Sequence, residues 1–352
     1  MLCRYMCCLR LEQQENLEIY PFGTGERVLR ATKLSFVDSV WEILGAFLQR
    51  IPLIHLQRPR QHDTEYSSMR SVVLDDSARF LEVMRGECIT RFTAVPSVLE
   101  VLLLQTIESA LRTALVGLRY VLSSGETLSL RVVQNLTNIF PDVTILNLYG
   151  STELSGDVTC MELKAPLTSV QITEWQHHGV PIGHLSDLGV VSDDTSLILL
   201  ADEHEKKPEL QLSSDMQTII WPRSTTSTEK SSRGLLYVSG SLLALGYVGC
   251  NQQEVFATSE QLLSRHGGIQ HGMQRRQWFC TGDMCSVIQG HLYYCGRNDN
   301  VVKIRGQRVS VEAVERAVTA ALGELSPGTG FEDYQQVITF TTTKEVAKYN
   351  VL

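Results

Sequence analysis

No uninterrupted apolar stretch of this chain reaches the ~18 residues that a membrane-spanning helix needs, which excludes a helical membrane protein. At the N-terminus, Cys3, Arg4, Cys7 and Cys8 stand where a secretory signal would carry its long apolar run. The expectation is a soluble, cytoplasmic protein with no membrane span. Nor is there a C-x-x-C pair among the 9 cysteines. An odd, scattered set supports neither a disulfide framework nor a zinc ribbon. Cys280, Cys285 and Cys295 sit close together, but in what reads as strand and hairpin, and are expected to be reduced core thiols. A basic stripe is missing too: 31 Lys and Arg face 39 Asp and Glu, and Arg58–Arg60 and Arg275–Arg276 read as short, solvated loop charges. A chain of net charge -8 repels phosphate backbones, so no nucleic-acid partner is expected. What the sequence does have is 43% hydrophobic content over 352 residues, enough for a sizeable core and about two domains of ~150 residues each.

The spacing of Phe36, Val40, Leu44 and Leu48, beside Trp41, Ile43 and Phe47, predicts a helix over 36–49, with Asp38 or Ser39 as first-turn caps. Pro96 opens a second helical run, Ser97 to Leu115, in which Val98, Leu99, Leu102, Leu103, Ile107 and Leu111 have the same periodicity. A short strand near Tyr120–Leu122 follows. A helix from Ser129 to Phe140, closed by Pro141, and a β-rich run Val143 to Tyr149 complete the pattern. The order strand, helix, strand with short links implies a parallel α/β sheet with flanking helices. Between 160 and 233, Pro, Ser, Thr, Asp and Lys accumulate, which reads as long surface insertions. Leu235–Val238 reads as a strand, and Ser286–Ile288 and His291–Tyr294 around Gln289-Gly290 read as a β-hairpin. After Gly296 come Val301–Ile304, a turn at Arg305-Gly306 and a helix from Ser310. There is no internal repeat.

Three segments carry chemistry. In the first, Asn147–Glu153 (NLYGSTE), a strand stops at glycine and delivers two hydroxyls and a carboxylate in succession. Gly150 lets a backbone approach a ligand, Ser151 and Thr152 can donate to phosphate oxygens, and Glu153 is a hard oxygen ligand suited to Mg2+. The same residues can equally serve as a helix N-cap with a first-turn acid. In the second, Trp278–Asp283 (WFCTGD), an acid follows glycine at the entry to a hairpin strand. One carboxylate can accept from two vicinal hydroxyls, as on a ribose, and an aspartate after glycine is also an ordinary turn former. The third, Gly296–Val309, places Arg297, Lys303, Arg305 and Arg308 near one linker, where they can meet a phosphate or simply be solvated.

In this order and at these separations, the segments resemble the adenylate-forming superfamily, which includes acyl-CoA synthetases and the adenylation domains of peptide synthetases. Tyr149–Glu153 (YGSTE), Thr281–Asp283 (TGD) and Gly296–Arg308 are similar to its nucleotide and hinge motifs, and Ser123–Glu126 (SSGE) to its adenine-contacting turn. Val180–Gly183, Leu236–Gly240 and Leu243–Tyr247 add weaker matches. Phe36–Ile43 most resembles the β-alanine-activating branch, called acyl-activating enzymes in plants. The resemblance implies a partial large adenylation domain over 1–298, with parallel sheets, flanking helices and a barrel-like β part, then a hinge and a truncated α+β subdomain over 299–352. It implies activation of a small-molecule carboxylic acid by ATP with Mg2+, giving acyl-AMP and pyrophosphate. Transfer to a thiol of CoA or of phosphopantetheine on a carrier protein follows. Tyr149 would stack on adenine with Gly125, Glu126 and Asn147 near its edge, within a turn that Gly150 and Ser151 continue. Thr152 would meet the α-phosphate, Glu153 the Mg2+, and Asp283 the ribose hydroxyls. Arg297 would reach ribose and phosphate, and Lys303 would act among the catalytic cations. Asp299 matches the hinge and Gly306 the thiol path. Phe36, Asp38 and Ser39 would line the acid pocket.

Departures from the family pattern set further expectations. Residues 1–31 hold nothing like the family's phosphate loop, Phe22–Gly25 reading instead as a turn, and the lysine near the end of the family's small domain has no counterpart. Each such donor supplies ~10²–10³ in rate, so the chain, a fragment by this resemblance, is expected to be impaired in adenylate formation. Uncovered sheet edges and apolar faces would favour aggregation. In the acid-selecting helix Val37 occupies the place of the family's aspartate and Asp38 lies one step on, a turn of about 100° around a helix. Two other classes stay open: a non-catalytic nucleotide-binding or interaction protein built on Tyr149 and Asp283, and a plain structural domain.

Overall fold

The computed structural model describes residues 20, 22, 24–34, 36–56, 73, 76–184, 196–200, 219–220, 232–241, 243–247, 255–266, 276–298, 301–304, 307–310 and 314. The chain divides into two compact units, Met1–Asn298 and Asp299–Leu352. In the first unit, β1 (Val28–Arg30), α1 (Asp38–Leu48), β2 (Leu53–His55), α2 (Ser77–Gly86), β3 (Arg91–Thr93), α3 (Pro96–Gln105), α4 (Glu108–Ala114), β4 (Tyr120–Ser123), α5 (Leu130–Ile139) and β5 (Thr144–Ser151) come first. A 3-10 turn (Thr152–Leu154), β6 (Gly156–Leu163), α6 (Ser169–His178), β7 (Gly183–His184), β8 (Ser196–Leu200), β9 (Ile219–Ile220) and β10 (Ser232–Ser239) continue it. Then come β11 (Phe256–Thr258), α7 (Ser259–His266), β12 (Gln277–Ile288) and β13 (His291–Arg297). The second unit shows β14 (Val301–Ile304) and β15 (Gln307–Ser310), an antiparallel pair.

The fold is α/β. The first sheet has the order β2-β1-β3-β4-β5-β6, parallel except for the antiparallel β6. Its central strands are buried on both faces, which is why they read as continuous apolar runs and not as alternation. Val121 and Ile145 face Phe80, Leu99, Leu111 and Val133 from the helices, while their neighbours Leu122 and Leu146 join Leu148, Cys160 and Trp41. The second sheet has the order β7-β13-β12-β10-β8-β9, with β11 also on β12. Leu197, Leu199, Leu236, Val238 and Phe279 on one of its faces pack with Tyr149 and Val158 of the first sheet and Leu154 of the 3-10 turn, while Ile198, Tyr237 and Trp278 on the other pack with Leu262 of α7.

Several expectations are corrected. The helix expected over 36–49 begins at Asp38 and is capped by neither Asp38 nor Ser39: Val37 is its N-cap, without a side-chain hydrogen bond. Its buried face is Ser39, Glu42, Gly45 and Ala46, while Phe47 and Leu48, at 76% and 57% exposure, point outward. Small residues win this face because they let the helix lie close on β1 and β2, and the Thr32 turn supplies hydrogen bonds to Glu42. The single run expected from Ser97 to Leu115 is two helices, broken where Thr106 and Ile107 adopt extended backbone; Ile107, counted on the apolar stripe, is exposed. The polar run 160–233 contains the end of β6, then α6 with a full Thr168/Gln171 capping box, then β7 to β9. Ser310 ends a strand, and the helix expected after it falls outside the described residues apart from Val314. Cys160 and Cys285 are buried free thiols, whereas Cys295 is exposed and Cys280 half-buried. Among the described residues no helix is long and apolar enough to cross a membrane.

Candidate functional site

The centre of the site is a buried carboxylate. Asp283 lies on β12 directly opposite Arg297 of β13, and Arg297 Nη1 donates to Asp283 Oδ1 at 2.8 Å. The Tyr149 hydroxyl, from the far end of β5, donates to Asp283 Oδ2 at 2.7 Å. Gly282 has φ +74, a value that suits glycine, and its carbonyl accepts from Asn298 N–H at 2.9 Å. Thr281 Oγ1 accepts the Asp283 N–H at 3.0 Å and donates to the Leu236 carbonyl at 2.8 Å, tying the motif to β10. The Asp283 and Arg297 side chains are 6% and 9% exposed. Burial, and then the negative charge of Asp283, push the Tyr149 phenol well above its ordinary pKa, so it remains a neutral donor. Its ring is one wall of the core between the two sheets.

Next to Tyr149 the chain passes through Gly150 to Ser151 before it turns. The strand therefore does not stop at glycine. A Cβ there would stand 1.9 Å from the Gly156 carbonyl oxygen and 2.5 Å from Asp157 Cα, so the bare Cα is required by the close crossing of β6, where the register shifts. The 3-10 turn leaves Thr152 exposed and Glu153 8% exposed. Glu153 Oε1 accepts the Tyr247 hydroxyl at 2.5 Å, and its backbone carbonyl accepts Ala244 N–H at 2.8 Å. Ser151 Oγ is a buried hydroxyl without a hydrogen-bond partner among the described residues. An orphaned donor two residues from a buried carboxylate fits a phosphate-bound divalent cation. No group of three His, Cys, Asp or Glu able to hold a metal occurs among the described residues.

The remaining expected residues have partners of their own. Asn147 Nδ2 donates to the Pro181 carbonyl at 2.8 Å and Thr159 Oγ1 to the Ile182 carbonyl at 2.5 Å, which fixes Val180–Gly183 beside β5 and β6. Gly125 takes φ +81 in its turn. Glu126 Oε2 accepts Ser97 N–H at 3.0 Å: its carboxylate caps α3, whose own N-cap, Val95, has no side chain to do so. Ser124 Oγ donates to Asp38 Oδ2 at 2.8 Å, which brings the expected acid pocket against the SSGE turn. Ser39 is buried and spends its hydroxyl on the Phe36 carbonyl at 2.8 Å, within the helix's own entry, while Phe36 is half-buried. Lys303 lies on β14 opposite Arg308. Asp299 and Gly306 lie outside the described residues.

Sequence reasoning missed Glu42, Ser124, Thr281 and Tyr247 as individuals, although each stands inside a segment it singled out. Their roles depend on partners far along the chain. The separations are 86 residues for Ser124 and Asp38 and 94 for Tyr247 and Glu153, which no local spacing displays.

A family model described as AMP-binding enzyme matches residues 8–248, more than half of the chain. Among curated proteins, the chain is 26% identical over 307 residues to the "Beta-alanyl-bioamine nonribosomal peptide synthetase ebony" of Drosophila melanogaster, covering 85% of this chain and 29% of that one. It is 25% identical over 229 residues to a "D-alanine--D-alanyl carrier protein ligase" of Bacillus cytotoxicus, covering 65% and 36%. Among solved structures, the Vibrio cholerae adenylation domain AlmE, crystallised with glycyl-adenosine-5'-phosphate, superposes with a TM-score of 0.60 at 22% identity, covering 88% of this chain and 47% of that one. The chain thus spans well under two thirds of the length of the proteins it matches.

Proposed function

Because the chain belongs to the AMP-binding enzyme family, we propose that its Tyr149, Asp283 and Arg297 cluster grips an adenine nucleotide and that the whole protein activates a carboxylic acid as its adenylate. The observation that carries this is the convergence of a phenol and a guanidinium on one buried carboxylate, from segments 134 and 14 residues away. Such a carboxylate is held in orientation by its two donors and can accept the two vicinal hydroxyls of a ribose through its remaining lone pairs. Tyr149 would stack on adenine, with Gly125, Glu126 and Asn147 at its edge. Arg297 supplies positive charge to ribose and phosphate. Ser151 and the exposed Thr152 donate to phosphate oxygens. Glu153 would hold Mg2+, which when bound neutralises charge on the attacked phosphate. In the second unit, the motif assigns Asp299 to a hinge, Lys303 to a phosphate contact and Gly306 to the path of the acceptor thiol.

The acceptor is the thiol of CoA or of phosphopantetheine on a carrier protein. A carrier is favoured by the relatives whose names include one, or which are nonribosomal synthetases. The β-alanine-activating branch is supported by the run Phe36–Ile43 and by the likeness to ebony. A second reading, nucleotide binding without chemistry, uses the same cluster. Calorimetry with AMP and ATP on the full chain tests the grip: Asp283→Ala should abolish binding that the wild type shows. Undiminished affinity would move the nucleotide elsewhere. Carboxylate-dependent ATP–pyrophosphate exchange then separates activation from binding alone.

A further inference from the structure

The Glu153 carboxylate is held by a residue to which the nucleotide reading gives no part. Tyr247 stands 94 residues further along the chain, and its hydroxyl donates to Glu153 Oε1 at 2.5 Å. The same short segment, 243–247, is pinned to the 3-10 turn by its backbone, through Ala244 N–H on the Glu153 carbonyl at 2.8 Å. Gly246 has φ +133, a conformation other residues rarely adopt, and this swings Tyr247 back onto the turn. The Tyr247 ring meets Phe256 edge-on with centroids 5.7 Å apart, a contact that holds the ring plane. Glu153 is 8% exposed while Tyr247 is 42% exposed. The carboxylate thus lies inward and its donor reaches it from the solvent side.

We propose that Tyr247 is a positioning residue for Glu153, setting the carboxylate for a nucleotide-bound divalent cation; this rests on the role given to Glu153 above. The chemistry of the donor is the argument. A glutamate side chain has three rotatable bonds, and a carboxylate free to rotate loses that freedom on meeting a metal. A hydrogen bond made beforehand removes most of that cost. Lysine or arginine at this place would fix the carboxylate equally well but would cancel the negative charge that attracts the cation. A phenol fixes it and stays neutral. It engages Oε1 of Glu153.

The test compares metal-dependent with metal-free binding in the full chain. Mn2+ replaces Mg2+ as the probe, its binding with ATP read by electron paramagnetic resonance, and AMP binding without metal is read by calorimetry. Tyr247→Phe keeps the ring and its contact with Phe256. It is expected to weaken Mn2+ binding in the presence of ATP about tenfold while leaving AMP affinity within about twofold. In a Glu153→Gln background the same change should have no further effect. A merely structural tyrosine would lower both affinities together, or neither, and either result overturns the proposal. So does a wild-type chain that binds AMP and ATP with no contribution from Mn2+, an outcome that leaves the nucleotide cluster standing. A wild type that binds no nucleotide removes the cluster reading and the Tyr247 proposal with it. Thermal melts of both variants guard against misfolding.

Discussion

Glu42→Gln is expected to stabilise the chain at neutral and alkaline pH, the reverse of what removal of a hydrogen-bonded charge usually does. Glu42 is fully buried on the inner face of α1. Its Oε2 accepts the N–H groups of Ala31 and Thr32 at 3.3 and 3.2 Å, and its Oε1 accepts the Thr32 hydroxyl at 2.8 Å. These bonds favour the charged form, yet burial outweighs them, with the charge of Asp38 acting in the same direction, and the carboxyl is pushed up from 4.5 to about 7. Between those two values the folded chain keeps a proton that the unfolded chain releases. The stability linked to that proton is fully present below 4.5 and is lost as pH rises through about 7. At ~1.4 kcal/mol for each tenfold difference in proton affinity, the whole interval amounts to roughly 3 kcal/mol.

Glutamine fits the same site without the charge. With its amide oxygen in the place of Oε2 it accepts both N–H groups, and with its amide nitrogen in the place of Oε1 it donates to Thr32 Oγ1, a hydroxyl that can reverse its role. The assay is urea unfolding of wild type and variant from about pH 5 to about pH 8. Every other titrating group is common to both chains and cancels in the difference. The difference should be about 1 kcal/mol or less at the acid end and grow to roughly 3 kcal/mol in favour of the variant at the alkaline end. Parallel curves, or a variant that loses ground as pH rises, would refute the reasoning, because either requires an ionised Glu42 that burial does not penalise.

Gly150→Ala should cost about 3 kcal/mol or more, since its Cβ would strike backbone of β6 that has no rotamer to yield, whereas Gly86→Ala, with nothing within 4 Å, should be neutral in the same thermal melt. Glu126→Ala should cost about 1 kcal/mol in the same thermal melt through loss of the Ser97 cap.

What the sequence made legible follows from how far each pattern reaches. The β4, α5, β5 unit could be read nearly to the residue because its signals are local: Ser129 accepts the Val132 N–H as the N-cap of α5, and β4 and β5 are short apolar runs. The hairpin between β12 and β13 was equally plain, its turn made by Gln289 and Gly290, both at positive φ as a two-residue loop of twisted strands requires. The face of α1 was misread because periodicity counts apolar residues and cannot count room. Gly45 and Ala46 bury more completely than Phe47 and Leu48, because they lie on the face of α1 that meets β1 and β2.

The candidate site shows where such reading ends. Counted back from its turn, the hairpin pairs Ile288 with His291 and so on to Cys285 with Tyr294, and an unbroken ladder would then set Asp283 opposite Gly296. The structure sets Asp283 opposite Arg297, because one extra residue enters β13 after Tyr294, where the register shifts; beyond it Gly296 takes φ +110. Successive strand residues point to opposite faces, so without that bulge Arg297 would be turned away from the carboxylate it now holds at 2.8 Å. The motif names Asp283 and Arg297 but not the bulge that joins them. Nor does it bring in Tyr149, which reaches Asp283 from β5, 134 residues earlier in the chain. The bulge in β13 and the packing of Tyr149 against the second sheet place the three side chains together. Each is a tertiary event that strand propensity does not encode, which is why the residues of the site could be listed from sequence while the contacts that bring them together could not.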